Sequence, residues 1–150
     1  MNHVKNVPAY KLAIDKSMPK IEAEQIRNAD DSVKFCRNFF HDDLTLYESM
    51  FIVLLSKMNR PIGYAKISQG GVAGTVVDPK IVMKYAVESL ASGIILCHNH
   101  PSGNLKPSSH DDDITRGINE ACKLLDIQLL DHIILTETSY YSYQSSSSIL

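Results

Sequence analysis

The chain has 150 residues, a formal net charge of −2, 44% hydrophobic residues and 21% charged residues. That composition excludes global disorder and suffices for one domain with its own core. No apolar run reaches the ~18 residues of a membrane-spanning helix, and a net charge of −2 argues against a broad electrostatic grip on nucleic acid.

In chain order, the opening MNHVKNVPAYKLAIDKS lacks an apolar h-region, so no leader and a cytoplasmic protein are expected. Residues 1–29 hold Pro8 and Pro19 and show weak periodicity, which leaves their role unassigned. Asp31 and Ser32 precede Val33, Phe35, Cys36, Phe39 and Phe40, which predicts a capped amphipathic helix. Residues 49–57 (SMFIVLLSK) predict a buried strand. Asn59-Arg60-Pro61 is turn chemistry and residues 62–68 alternate, so the two strands form a hairpin. Gly70-Gly71 breaks the run, and a third short strand is expected at residues 75–77.

Asp78-Pro79 is an N-cap followed by proline at the first helical position. Ile81, Val82, Tyr85, Ala86 and Leu90 recur at helical spacing, and Gly93 sits where a C-terminal cap is expected. A short apolar strand at residues 94–97, a polar loop over 98–107 and a helix over 108–125 come next. Residues 128–135 predict another strand and 136–139 a turn. The end carries an aromatic strand-like piece and a serine tract, residues 145–148, expected to fray. A hairpin followed by strand–helix alternation predicts an α/β fold of α+β type, a mixed sheet flanked by helices. Cys36, Cys97 and Cys122 are odd in number and form no CxxC, so buried thiols are expected rather than a disulfide framework or a Cys-rich zinc site.

The chemistry lies in His98-Asn99-His100-Pro101-Ser102-Gly103, followed by Ser108 and Asp111. If the strand runs on to His100, His98 and His100 point to one face and Cys97 to the other, because side chains alternate with period two. The following helix carries Ile114, Ile118, Ala121 and Leu125 on its apolar face. At about 100° per residue, Asp111 falls within ~40° of that face, and Asp112 and Asp113 more than ~120° away. Asp111 therefore points inward, and its two neighbours suit a solvated helix start. Ser108 and Asp111 also form a capping-box pattern, S-x-x-D.

Two histidines and one aspartate leave a fourth position open, as in a catalytic zinc site. Zinc supplies hydroxide at neutral pH, and such a site needs a carboxylate base. Glu48, Glu88 and Glu120 are all candidates. A contiguous His-Asn-His does not make an HNH nuclease, and the P-C-x-x-C pair of zinc deaminases is absent. His132 is expected in strand packing or in a hydrogen bond that anchors a loop; His110, Lys106 and Arg116 are expected to face solvent.

The spacing His98-x-His100, seven residues, Ser108, two residues, Asp111 is similar to the JAMM signature of JAB/MPN metalloproteases. HNHPSG with the later PS, D and T, and the ending DHIIL…YYSY, resemble the RadC family of JAB-domain proteins over roughly residues 30–145. The resemblance divides the chain into an arm (1–29), a JAB/MPN domain of cytidine-deaminase-like architecture (30–145) and a tail (146–150). It implies Zn2+ on His98, His100 and Asp111, Ser108 stabilising an oxyanion, and Glu48 as the base. It further implies a hydrolase acting on amide or isopeptide bonds of a peptide or protein substrate; no membrane partner is expected, from the lack of a long apolar run. The alternative it implies is an accessory module in DNA repair or mobile-element DNA processing, with nucleic acid as partner. Against that alternative stand the net charge of −2 and the lack of a helix-hairpin-helix pattern before residue 30; separately, Cys97 departs from the small residue the family places there.

Overall fold

The computed structural model describes residues 8–40, 43–70 and 76–150. Five strands form one mixed sheet in the order β2-β1-β3-β4-β5. In chain order the elements are α1 (Ala29–Cys36), a 3-10 turn (Arg37–Phe39), β1 (Ser49–Leu55), β2 (Pro61–Gln69), α2 (Pro79–Glu88), β3 (Gly93–Asn99), α3 (Ser109–Leu124), β4 (Gln128–Leu135), β5 (Tyr140–Ser142) and α4 (Tyr143–Ser146). β1 runs antiparallel to both β2 and β3, β3 and β4 are parallel, and β5 returns antiparallel to β4. A parallel neighbour needs a crossover, and α3 supplies it. The predicted mixed sheet with flanking helices is the observed architecture.

The central strands β1 and β3 are buried along their whole lengths, which explains their unbroken apolar runs. Alternation sorts their side chains into two cores. Met50, Ile52, Leu54, Ile94 and Leu96 face α2 and α3 and meet Val82, Ala86, Ile114 and Ile118. Phe51, Val53, Leu55, Ile95 and Cys97 face α1 and meet Val33, Cys36 and Phe39. Ile26, from the arm, is buried in the second core and its amide bonds the Asn59 carbonyl at 2.9 Å. Pro61 is tolerated at the start of β2 because β2 is an edge strand.

Several boundaries differ from the sequence reading. The cap of α1 is Asn28, whose side chain accepts from the Asp31 amide; Asp31 itself accepts from the Arg27 amide. Gly93 does not cap α2. Leu90 takes the left-handed turn (φ 54), and the Leu90 and Ala91 amides close onto the Val87 and Ala86 carbonyls. Gly93 instead opens β3, where a Cβ would lie 3.3 Å from the Gln128 carbonyl oxygen. The stretch expected as loop from residue 98 begins two residues later, since His98 and Asn99 are in β3. Leu125, expected on the buried face of α3, is 49% exposed because the helix ends at Leu124. Of the strand expected at residues 75–77, Thr75 lies outside the described residues, and Val76 and Val77 are not in a strand. His3 and His41 also lie outside the described residues. The serine tract does not fray: Ser145 and Ser146 are in α4, Asn119 donates to the Ile149 carbonyl at 3.3 Å, and Leu150 packs on the α2/α3 core. Among the described residues, no helix is long and apolar enough to cross a membrane.

Candidate metal centre

The site forms where the end of β3 meets the start of α3. His98 is the sixth residue of β3 and lies on the α2/α3 face; Cys97 lies on the opposite face, buried, as period two requires. β3 ends at Asn99, but the His100 amide still bonds the Leu135 carbonyl at 2.8 Å. The chain therefore stays extended far enough for His100 to share the face of His98. The two Nε2 atoms lie 3.0 Å apart.

Asp111 comes from the first turn of α3. A complete capping box fixes it there: Ser108 Oγ accepts from the Asp111 amide, and Asp111 Oδ2 accepts from the Ser108 amide at 2.7 Å. The Ser108 hydroxyl also donates to Asp111 Oδ2 at 2.6 Å. Oδ1 is left facing His98 Nε2 at 3.2 Å, and His100 Nε2 lies 3.6 Å from Oδ2. Asp111 is 4% exposed; Asp113 is exposed and 3.5 Å from Arg116. Asp112 departs from the solvated role expected of it. It is half-buried and accepts from the Tyr143 hydroxyl at 2.8 Å.

These three side chains suit a cation. His100 Nδ1–H donates to the Asn104 carbonyl at 2.6 Å, because a carbonyl only accepts. A neutral ring then points an Nε2 lone pair at His98 and Asp111. Donor atoms about 2.0–2.1 Å from a tetrahedral ion lie about 3.3 Å from one another. His98 Nε2 lies near that distance from both His100 Nε2 (3.0 Å) and Asp111 Oδ1 (3.2 Å), and His100 Nε2 is 3.6 Å from the other carboxylate oxygen, Oδ2. Burial alone would lower the His100 pKa, but its bonds to Asp111 and Asn104 and the charges of Asp111 and Glu48 leave it raised. Burial alone would raise that of Asp111, but the His100 and His98 rings facing it and the Ser108 hydroxyl hold it far below the usual carboxylate range.

Glu48 stands beside this group. β1 and β3 pair Met50 with His98, and the same register continued by two residues sets Glu48 opposite His100. Glu48 is half-buried. Asn99 ties its segment down: Asn99 Oδ1 accepts from the Ser49 amide at 2.8 Å, and its amide group donates to the Leu44 and Tyr47 carbonyls at 2.6 and 2.9 Å. The other two carboxylates lie elsewhere. Glu88 ends α2, near the end of the sheet where β3 begins, and accepts from the Leu12 amide. Glu120 is exposed, nine positions along α3 from Asp111 and so about 13 Å away along the axis. His110, Lys106 and Arg116 are exposed, as expected.

The sequence reading left His132, Thr115 and Asn99 without a part in the site. His132 Nε2 lies 2.8 Å from His98 Nδ1, and His132 Nδ1 lies 2.7 Å from Thr115 Oγ1. Thr115 Oγ1 is also 2.6 Å from the Asp111 carbonyl. The Tyr143 ring stacks on His132 with centroids 5.0 Å apart. Face alternation along β4 could have placed His132 on the α3 side; nothing in the sequence pairs it with His98.

The RadC-like JAB domain profile matches residues 26–148. The chain is 48% identical to a UPF0758 protein of Flavobacterium johnsoniae over 97 residues, 65% of this chain and 42% of that one. It is 36% identical to a UPF0758 protein of Streptococcus sanguinis over 103 residues, 69% of this chain and 45% of the other. It is 37% identical to a UPF0758 protein of Coprothermobacter proteolyticus over 124 residues, 81% and 53% respectively. The chain thus spans about half the length of these curated relatives.

Proposed function

Since this chain belongs to the RadC-like JAB domain family, we propose that it is a zinc-dependent hydrolase of the JAMM type that cleaves amide or isopeptide bonds in a peptide or protein. The observation that carries this reading is the convergence of His98, His100 and Asp111, one ligand atom of each lying within 4.8 Å of the others, with three protein ligands leaving a fourth position for water. Zinc held by these three residues supplies an electrophile and acidifies water at neutral pH.

The chain's own residues do the rest. Glu48, opposite His100, accepts a proton from the attacking water and returns it to the leaving nitrogen as the C–N bond breaks. The Ser108 hydroxyl at rest donates to Asp111 Oδ2. To meet an oxyanion it must turn from that oxygen, which keeps the Ser108 amide as its donor.

Metal analysis of protein purified without chelator is expected to give about one zinc per chain, the occupancy of one three-residue ligand set. Absence of zinc both there and after reconstitution would sink the reading. Glu48→Gln is expected to keep the metal and lose hydrolysis of fluorogenic peptide and isopeptide probes. Loss of the metal instead would make Glu48 a ligand.

A further inference from the structure

We propose that His132 is a positioning residue that fixes which nitrogen of His98 faces the centre, through a directed hydrogen-bond relay running from the Asp111 carbonyl through Thr115 and His132. Its consequence for metal binding rests on the metal-centre reading above; the relay itself rests on donor and acceptor chemistry alone.

The relay has a fixed end. The Asp111 carbonyl can only accept, so Thr115, four residues on in α3, spends its one hydroxyl proton there at 2.6 Å. Toward His132 Nδ1, at 2.7 Å, Thr115 Oγ1 then offers only lone pairs, so Nδ1 carries a proton. His132 is wholly buried, which disfavours a charged ring. Its Nε2 is therefore an acceptor, and His98 Nδ1–H donates to it at 2.8 Å. The last step leaves His98 Nε2 without a proton, facing Asp111 Oδ1 and His100 Nε2. That is the tautomer a metal needs.

The fold holds the relay in place from several sides. The parallel register pairs Leu96 with His132, so His132 lies beside His98 on the α3 face. Tyr143 stacks on the His132 ring at an interplanar angle of 9° and bonds Asp112. The relay also returns to its origin: Asp111 offers its carboxylate to the centre and its carbonyl to the chain of bonds that orients His98. Helix α3 therefore places one ligand directly and sets the tautomer of a second.

Two measurements test this. In zinc-free wild type at neutral pH, nitrogen-15 NMR of the imidazoles is expected to show His98 protonated on Nδ1. Zinc affinity is expected to fall about 10–100-fold in His132→Phe and in the near-isosteric Thr115→Val, and to recover in His132→Gln, whose Oε1 still accepts, and in Thr115→Ser. His98 protonated on Nε2 in wild type overturns the proposal. So do zinc affinities of folded His132→Phe and Thr115→Val within about two-fold of wild type. If His132→Phe does not fold, Thr115→Val and the wild-type spectrum decide. If wild type binds no zinc, the metal-centre reading fails, and the spectrum still decides the relay.

Discussion

Asp111 at the start of α3 and Asp131 in β4 are both buried aspartates, 4% and 3% exposed, yet their acidities move in opposite directions. Burial pushes both up. Asp131 stays raised although it accepts from Ser142, Gln144, His132 and Tyr143, because those donors are neutral. Asp111 ends far below the usual range because two imidazoles face it. Around Asp131, a buried carboxylate pins α4 onto β4. Asp111 is aimed at a place where positive charge is wanted. Equal burial thus marks a site only when its partners can carry or bind charge.

The largest expected break in this comparison is Asp111→Asn. It keeps an acceptor for the helix cap, so the fold persists, while zinc affinity falls by at least about 100-fold on loss of an anionic ligand. Calorimetric zinc titration checks it. Asp131→Ala is expected to reverse the pattern. Zinc stoichiometry is kept, but chemical denaturation shows a loss of about 2–3 kcal/mol from the orphaned Ser142 hydroxyl and the Gln144 and His132 amides.

The two aspartates also predict opposite pH limbs in zinc-free protein. Asp111, lowered from its ordinary 3.8, contributes stability that is present above that pH and lost as pH falls below it. Asp131, raised from 3.8, holds a proton that the unfolded chain releases, so its contribution is complete below that pH and lost as pH rises through its folded value. Denaturation across the acid range should therefore lose one limb in Asp111→Asn and the other in Asp131→Asn. Identical profiles would remove the contrast. The smallest effects are expected beside Asp111. Asp112→Ala loses the Tyr143 bond and about 1 kcal/mol, and Asp113→Ala stays within about 0.5 kcal/mol, as at ordinary surface positions.

Local patterns in the sequence carried much of this fold. The run SMFIVLL forms a strand from its own apolar character, although the expected strand ended two residues later, and Asp78-Pro79 starts a helix from its own chemistry. The same holds for the capping pair Ser108 and Asp111, and for the helical angle that separates Asp111 from Asp113. Where local rules failed, a competing partner had won. Asn28 displaced Asp31 as cap by reaching the Asp31 amide, and Leu90 accepted a left-handed turn because the carbonyls at the end of α2 had to be closed. The serine tract is held rather than frayed because the Asp131 carboxylate takes up the start of α4, a partner that serine composition does not reveal.

By itself, the sequence determined that His98, His100 and Asp111 converge, since strand alternation and helix geometry act over a few residues and both are readable in the letters. Only the tertiary structure decided what stands behind the triad. Asn99 ties down the segment of Glu48 from 50 residues away, and His132 meets His98 from 34. Hydrogen-bond partners so distant in the chain are chosen by the register of β1 on β3 and of β4 beside β3. A buried histidine looks the same in a sequence whether it fills space or sets a tautomer; the difference is the direction of two hydrogen bonds, which exists only once the strands are side by side.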